Sequence, residues 1–118
     1  MRTRVTRSFR FEAAHQLPWH EGKCRNLHGH SYRLEVSVEG PLNEHGIVLD
    51  FADLKAVVTR EVIDRYDHTY LNELIDNPTA ELIAQTIWKS LEAAGLAVAA
   101  IRLWETEDCS VEITGTTT

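Results

Sequence analysis

Cysteine is scarce in this sequence, and long apolar runs and basic runs are missing altogether. Two cysteines, Cys24 and Cys109, are too few for a disulfide framework, so we expect Cys24 to be a reduced thiol. No apolar run approaches the ~18 to 20 residues of a membrane span, and the first four residues lead straight into a strand pattern without a signal core. The net charge of −6 argues against a nucleic-acid surface. These absences predict a cytoplasmic protein that binds neither membrane nor nucleic acid.

The composition that remains is that of an ordinary globular domain. The chain has 118 residues, of which 43% are hydrophobic and 25% are charged. A chain of this length can bury a core of its own as one domain. We find no internal repeat, low-complexity tract or linker, so residues 1–118 are predicted to form a single domain.

Two segments near the N-terminus alternate strictly between apolar and polar residues, which is the period of a half-buried strand. The first covers about residues 3–15 and the second about residues 28–39. Gly40 and Pro41 stop the second strand. The apolar parity of the two segments consists of Phe9, Phe11, Ala13, Tyr32, Leu34, Val36 and Val38.

Three histidines share this apolar parity. His15 ends the first predicted strand, and His28 and His30 begin the second, separated by Gly29. Cys24 lies just ahead of them in the connecting loop. Three neutral imidazoles that converge from adjacent strands are suitable ligands for zinc, whose catalytic sites commonly have three protein ligands and an open position. A single histidine here would more often be an ordinary strand residue, but three of matching parity favour a metal site.

Two amphipathic helices are predicted in the middle of the chain. The first covers about residues 51–66 after Asp50 as N-cap, and the second follows Asn77 and Pro78, with Asn77 or Thr79 as its cap. Gly95 ends the second helix. Strand patterns return over about residues 98–105 and 109–114.

The order strand, strand, helix, helix, strand, strand predicts an α+β fold. We expect a four-stranded antiparallel sheet with both helices inserted after the second strand and packed on one face. The other face carries Val98, Ala100 and Trp104 beside charged residues. Such a sheet has free edges, so self-association is expected.

The three histidines and Cys24, together with Asp67-His68 after the first helix, Asn77-Pro78-Thr79 before the second and Glu105 in the third strand pattern, resemble the 6-pyruvoyl-tetrahydropterin synthase family. The Cys-x-x-x-His-x-His run from Cys24 to His30 is similar to that of its 6-carboxy-5,6,7,8-tetrahydropterin synthase branch, which serves queuosine and other deazapurine pathways. The similarity covers nearly the whole chain, with its motifs in the same order.

The resemblance implies a tunnelling fold, in which strands from three subunits close a barrel and two trimers stack as a hexamer. It implies zinc as cofactor and a pterin triphosphate, 7,8-dihydroneopterin triphosphate, as substrate. The implied reaction is that of a carbon-oxygen and carbon-carbon lyase. It would give 6-carboxy-5,6,7,8-tetrahydropterin, acetaldehyde and triphosphate.

The resemblance also implies roles for individual residues. His15, His28 and His30 would hold the zinc, and Cys24 would be the base that removes a proton. Asp67 and His68 would form a second acid/base group, in which the carboxylate orients the imidazole. From the residues alone, Asp67-His68 could equally be a pair at a helix C-terminus, where histidine is favourable against the dipole.

The substrate contacts are less well defined. Glu105 lies on the apolar parity of its strand and needs a polar partner. The resemblance supplies the amino-pyrimidine edge of the pterin. Thr79 is expected to contact the pterin as well, although helix capping explains it equally well. For the triphosphate, Lys23, Arg25 and Arg10 are candidate cations, and nothing in the sequence chooses among them.

Several functions compete with this interpretation. Gly22, His28, His30 and Glu35 fit the first half of a cupin metal motif, but Glu35 has the opposite parity, and two central helices have no place in a jelly roll. Within the family, the competing activities are the pyruvoyl synthase itself and the release of a hydroxymethyl pterin. A non-catalytic pterin- or zinc-binding module is the remaining competitor.

Overall fold

The computed structural model describes residues 1–115, which form an α+β fold of five strands and two helical regions. Short 3₁₀ turns cover Lys23–Arg25 and Leu71–Glu73. The first helical region consists of an α-helix at Phe51–Val58, a π-helical turn at Thr59–Ile63 and a last α-helical turn at Asp64–Tyr66. In chain order the elements are β1 (Arg4–His15), β2 (His28–Glu39), α1 (Phe51–Val58), α2 (Asp64–Tyr66), β3 (Thr69–Tyr70), α3 (Ala80–Ala93), β4 (Val98–Thr106) and β5 (Cys109–Thr114).

The sheet is mixed and open, with the strand order β3-β1-β2-β4-β5. The four predicted strands are present and pair in antiparallel fashion. The prediction of a purely antiparallel, four-stranded sheet is wrong, because β3 adds a short parallel strand beside Ala13 and Ala14 of β1. Two residues are too few to show a period of their own, and they become a strand only because the preceding turn brings them against β1.

Local capping explains where the helices begin and end. Asp50 caps α1 by accepting a hydrogen bond from the Ala52 amide at 2.7 Å, as the sequence predicts. For α3 the cap is Thr79, whose hydroxyl accepts from the Leu82 amide at 3.1 Å. Gly95, with a φ of +97°, follows the end of α3 in the left-handed conformation that glycine tolerates.

The core lies between the sheet and the two helical regions. The apolar parity of β1 and β2 is buried there together with the inner faces of α1 and α3, which include Leu54, Ile83 and Ile87. The opposite face carries mainly polar and charged side chains. Glu35 lies on that face, where it pairs with Arg33 at 3.2 Å. Both this position and the helical layer argue against a cupin.

Val98 differs from its predicted position. The sequence places it on the outer face, but it packs against the core. The reason is a register shift between Ser37 and Val38 of β2, which makes Val98 the partner of Val38. Such an irregularity changes the side-chain parity along the strand.

Two edges of the sheet have no partner among residues 1–115. One is the outer edge of β5, and the other is most of β1, because β3 covers only Ala13 and Ala14. The sheet formed by residues 1–115 therefore does not close into a barrel by itself.

Among residues 1–115, no helix is long and apolar enough to cross a membrane.

Candidate metal centre

The three histidines lie together where β1 ends and β2 begins. His15 is the cross-strand partner of His28, and His30 is the partner of Ala13, two residues before His15. Because side chains two residues apart share a face, all three imidazoles point to the same side of the sheet. One nitrogen atom from each ring lies within 4.8 Å of the others. The structure thus brings together the ligand set predicted from the sequence.

Backbone carbonyl groups orient two of the rings. His15 Nδ1 lies 2.8 Å from the Pro78 carbonyl oxygen, and His28 Nδ1 lies 2.7 Å from that of Asn26. A carbonyl accepts only, so each Nδ1 carries the proton and each Nε2 keeps a lone pair. The two Nε2 atoms face each other at 3.0 Å. A shared cation satisfies both lone pairs.

His30 supplies the strongest sign that this is a metal site. Its Nε2 is buried and has no hydrogen-bond partner among the described residues, and leaving such a group unpaired costs about 1 to 3 kcal/mol. Burial lowers the pKa of His30, Glu105 opposes this shift, and His15 and His28 lower the pKa further. A neutral ring with a free Nε2 is the form that binds metal. The three histidines therefore fit a nitrogen-liganded divalent cation such as zinc.

Glu105 lies beside these histidines. It follows Leu103 by two residues on β4, and its carboxylate oxygens lie 3.6 Å from His30 Nε2 and 4.0 Å from His15 Nε2. The side chain is 25% exposed, so one part of the carboxylate faces open space. Together with burial, this carboxylate raises the pKa of Tyr32, whose hydroxyl is 3.4 Å from His15 Nδ1. The position is compatible with the predicted pterin contact, which stays a prediction.

Cys24 lies on the 3₁₀ turn in the loop between β1 and β2. The Leu17 amide donates to the Cys24 carbonyl at 2.9 Å, which ties the turn to the chain just after His15. The thiol is free and half-buried. No hydrogen bond joins its sulfur to another residue in the range 1–115. The same loop supplies the Asn26 carbonyl that orients His28, so Cys24 and this metal ligand are positioned by one segment.

Asp67 and His68 lie beside β1 just before β3, and His68 lines a cavity of about 480 Å³ together with His30. His68 Nδ1 is 3.0 Å from Asp67 Oδ1, and the His68 backbone is in the left-handed region at a φ of +60°. The Glu12 amide donates to Asp67 Oδ1 at 2.8 Å, and the His68 amide donates to the Glu12 carbonyl. The hydrogen bond from the Glu12 amide lowers the pKa of Asp67 below its usual range, and His68 lowers it further by a smaller amount. The His68 side chain is 79% exposed.

The structure therefore assembles only part of the predicted site within one chain. The histidines and Glu105 lie together, while no hydrogen bond among the described residues links Asp67 or His68 to Cys24 or to the three histidines. Thr79 serves as the helix cap. The carbonyl groups of Pro78 and Asn26, which orient two ligands, were missed by the sequence analysis. A backbone carbonyl has no residue-type signal, so only the folded chain identifies it.

Comparison with known proteins agrees with this geometry. The family model described as 6-pyruvoyl tetrahydropterin synthase matches residues 4–116. The chain is 48% identical over 99 residues to a 6-carboxy-5,6,7,8-tetrahydropterin synthase of Synechocystis sp., covering 78% of this chain and 77% of that protein. It is 38% identical over 117 residues to a dihydroneopterin monophosphate aldolase of Pyrococcus furiosus, covering 96% and 98%.

The fold is also similar to that of a solved structure. The 6-pyruvoyl tetrahydropterin synthase of Caenorhabditis elegans superposes with a TM-score of 0.85 at 24% identity, covering 98% of this chain and 97% of that one. At this level of identity the match concerns the fold alone. The cupin-like jelly roll is thereby excluded a second time.

Proposed function

The chain belongs to the 6-pyruvoyl tetrahydropterin synthase family, and on that premise we propose that it is a zinc-dependent 6-carboxy-5,6,7,8-tetrahydropterin synthase. It is a lyase, as its relatives indicate. Its proposed substrate is 7,8-dihydroneopterin triphosphate, and its products are 6-carboxy-5,6,7,8-tetrahydropterin, acetaldehyde and triphosphate. The pathway we propose is the biosynthesis of queuosine or a related deazapurine.

The observation that carries the proposal is the group of three histidines, of which His15 is buried and His28 and His30 are half-buried, with one nitrogen of each ring within 4.8 Å of the others. Two of the rings are held by carbonyl groups in the tautomer that leaves Nε2 free. Glu105 borders the same space. The site thus offers nitrogen ligands for zinc and an adjacent carboxylate that can accept two parallel donors from an amino-pyrimidine edge.

Zinc bound there supplies Lewis acidity to the side-chain oxygens of the substrate. Cys24 acts as the base that removes a proton from the adjacent carbon. His68 exchanges the second proton, and Asp67, 3.0 Å from its Nδ1, orients its ring. Glu105 anchors the pterin, with Thr79 as a further contact near the start of α3.

Assembly into a hexamer of two stacked trimers completes this proposal. The free edges of β1 and β5 support it, because each offers unpaired backbone groups to a neighbouring copy. The exposed His68 also supports it, because a second subunit that covers this imidazole would separate its proton transfer from bulk water. The active site would then combine groups from more than one subunit.

The test is to incubate the purified, zinc-loaded protein with 7,8-dihydroneopterin triphosphate and to identify both the pterin and the small carbonyl product by mass spectrometry. We expect 6-carboxy-5,6,7,8-tetrahydropterin with stoichiometric acetaldehyde. Cys24→Ala should abolish turnover, whereas Cys109→Ala, at an exposed cysteine, should not. A fully metallated protein without turnover would favour the non-catalytic binding module.

Sister activities form the second candidate. The aldolase of Pyrococcus furiosus covers 96% of this chain, so the same scaffold supports side-chain cleavage of a monophosphate. The same assay should therefore include 7,8-dihydroneopterin monophosphate. A hydroxymethyl pterin from that substrate, or a 6-pyruvoyl pterin from the triphosphate, would assign the protein to a sister reaction.

A further inference from the structure

Two arginines face each other on the side of the sheet opposite the helices. Arg10 of β1 and Arg33 of β2 are direct cross-strand partners. Like charges in such positions destabilise a sheet unless something neutralises them. Arg33 has an ion pair with Glu35 at 3.2 Å. Arg10 is exposed and has no ion pair or side-chain hydrogen bond with any residue from 1 to 115, so one positive charge of the pair lacks a partner there.

Trp104 holds one of these guanidinium groups in place. It is the cross-strand partner of Arg33 on β4, and the central carbon of the Arg33 guanidinium lies 4.6 Å from the centroid of its ring. Stacking on an aromatic face restricts a long side chain and leaves its donors free at the edge. Arg102 approaches the same ring at 5.5 Å, but its charge is paired with Glu112 at 2.7 Å.

Arg10, Arg33 and Trp104 line a cavity of about 590 Å³ that also reaches His30 and Glu105. The cavity connects the two faces because β4 pairs with β2 only from Arg33 onward, which leaves the first residues of β2 without a neighbour on that side. β4 also has an irregular register against β5 between Trp104 and Thr106, beside this cavity. A ligand that reaches the histidines can therefore extend past the end of the sheet to the arginines.

Carboxylates account for the remaining charge around the cavity. Glu105 and Glu107 border it, and Glu12, the next residue on the Arg10 face, accepts a hydrogen bond from Ser31 at 2.6 Å. None of them pairs with Arg10. Arg10 therefore has no ion-pair partner among residues 1–115, although carboxylates border the cavity and the chain carries a net charge of −6.

We propose that Arg10 and Arg33 form a polyphosphate-binding subsite, which holds the triphosphate of the substrate while the pterin side chain lies at the histidines. Paired guanidinium groups match phosphate oxygens because each presents parallel donors in a fixed plane. The proposal rests on the proposed function for the identity of the substrate. The anion site itself follows from the two arginines, Trp104 and the cavity.

The first test is calorimetric titration of inorganic tripolyphosphate into the zinc-loaded protein, with unbound zinc removed and zinc content measured again afterwards. Arg10→Gln and Arg33→Gln should each weaken binding by about tenfold or more, and Arg10→Lys should retain part of it. Arg4→Gln is the matched control, since it makes the same charge change on the same face at an arginine paired with Glu39. It should alter binding by less than about twofold. Equal affinity in all variants would overturn the proposal.

Orthophosphate distinguishes a site for a phosphate chain from one for a single phosphate. We expect tripolyphosphate to bind more tightly than orthophosphate, because two guanidinium groups then contact different phosphates. Equal affinity for the two anions would overturn the assignment to a polyphosphate. Thermal unfolding checks the folding of each variant, and without anion Arg10→Gln should be at least as stable as the wild type because it relieves a like-charge pair.

Steady-state kinetics separates the subsite from the proposed function. With 7,8-dihydroneopterin triphosphate, Arg10→Gln should raise KM by about tenfold at unchanged zinc content. Normal KM in an active Arg10→Gln enzyme would overturn the subsite and leave the proposed function intact. Arginine-dependent binding of tripolyphosphate by a wild-type protein that turns over no pterin would support the subsite and contradict the proposed function.

Discussion

The three histidines and the Asp67-His68 pair differ in how completely one chain holds their side chains in place. Each histidine occupies a defined position within one chain, and two are fixed by carbonyl groups of the same chain. His15 is fully buried, whereas the His68 side chain is 79% exposed. Asp67 is held firmly by the Glu12 amide, but the imidazole beside it faces open space. The fold therefore preorganises the three histidines, whereas it fixes only the backbone of His68 and its carboxylate neighbour and leaves the imidazole exposed.

The largest effect should come from removing one of the three histidines. His30→Ala removes the imidazole whose Nε2 has no hydrogen-bond partner within residues 1–115, so we expect zinc affinity and turnover to fall by a factor on the order of 100 or more. Zinc content by atomic emission and turnover by mass spectrometry measure both quantities. His45→Ala, on an exposed loop, is the control. Full zinc occupancy in His30→Ala would contradict the ligand assignment.

The second-largest effect should come from removing the exposed imidazole of His68. His68→Ala should reduce turnover by roughly 10² to 10⁴, which is the usual contribution of a general acid or base. Zinc content and thermal stability should stay at wild-type values, because the ring is exposed and no hydrogen bond within residues 1–115 links it to the three histidines. Loss of zinc in this variant would show that zinc binding at the three histidines depends on His68. Unchanged turnover would remove His68 from the mechanism.

Mixing the two inactive variants sharpens the comparison further. If the histidines and His68 of one active site come from different subunits, co-assembled His30→Ala and His68→Ala chains contain some sites with all groups intact. We then expect partial recovery of turnover in mixed oligomers isolated through two different tags. Recovery should be absent when the same variants are purified separately and combined without exchange. Mixed oligomers without activity would place both groups of a site in one subunit.

The smallest effect is the pH dependence that Asp67 contributes to stability. Its pKa is lowered in the folded chain, chiefly by the Glu12 amide and then by His68, so folding favours the charged carboxylate. The contribution is therefore present above the usual pKa of aspartate, ~3.9, and is lost as pH falls through the lower value of the folded state. The stability difference between wild type and Asp67→Asn should shrink as pH falls through this range.

Urea unfolding between about pH 3 and pH 7 measures this difference, provided that unfolding is two-state. Asp64→Asn, an aspartate with no ion pair among residues 1–115, makes the same charge change one residue before Arg65 and serves as the control. A difference for Asp67→Asn that stays constant through the acid range would show that the Glu12 contact does not favour the charged form.

Side-chain parity explains why part of the site could be predicted. His15, His28 and His30 share the apolar face of two strands whose bounds the alternation locates within one residue, and Glu105 shares the face of Ile101 and Leu103. Parity is a local property with a period of two, so it can be read without knowing which strands pair. The caps Asp50 and Thr79 are local in the same sense.

Other features depend on distant parts of the chain. β3 exists because the Asp67-His68 turn lies against Glu12, some 55 residues earlier, and Val98 reaches the core through an irregularity in the pairing with β2. The facing of Arg10 and Arg33 likewise requires the register between β1 and β2. Competing registers differ in their long-range contacts, and a local pattern does not specify which of them forms.

The sequence by itself determined the four long strands, the two helical regions, the face on which each histidine lies and the family to which the chain belongs. Those properties follow from residue type and spacing, which act over a few neighbouring residues. Only the tertiary structure decided that Pro78 and Asn26 orient two of the histidines and that His30 Nε2 has no hydrogen-bond partner among residues 1–115. The physical reason is that hydrogen-bond partners and burial depend on which distant segments meet, and this is established only when the chain folds.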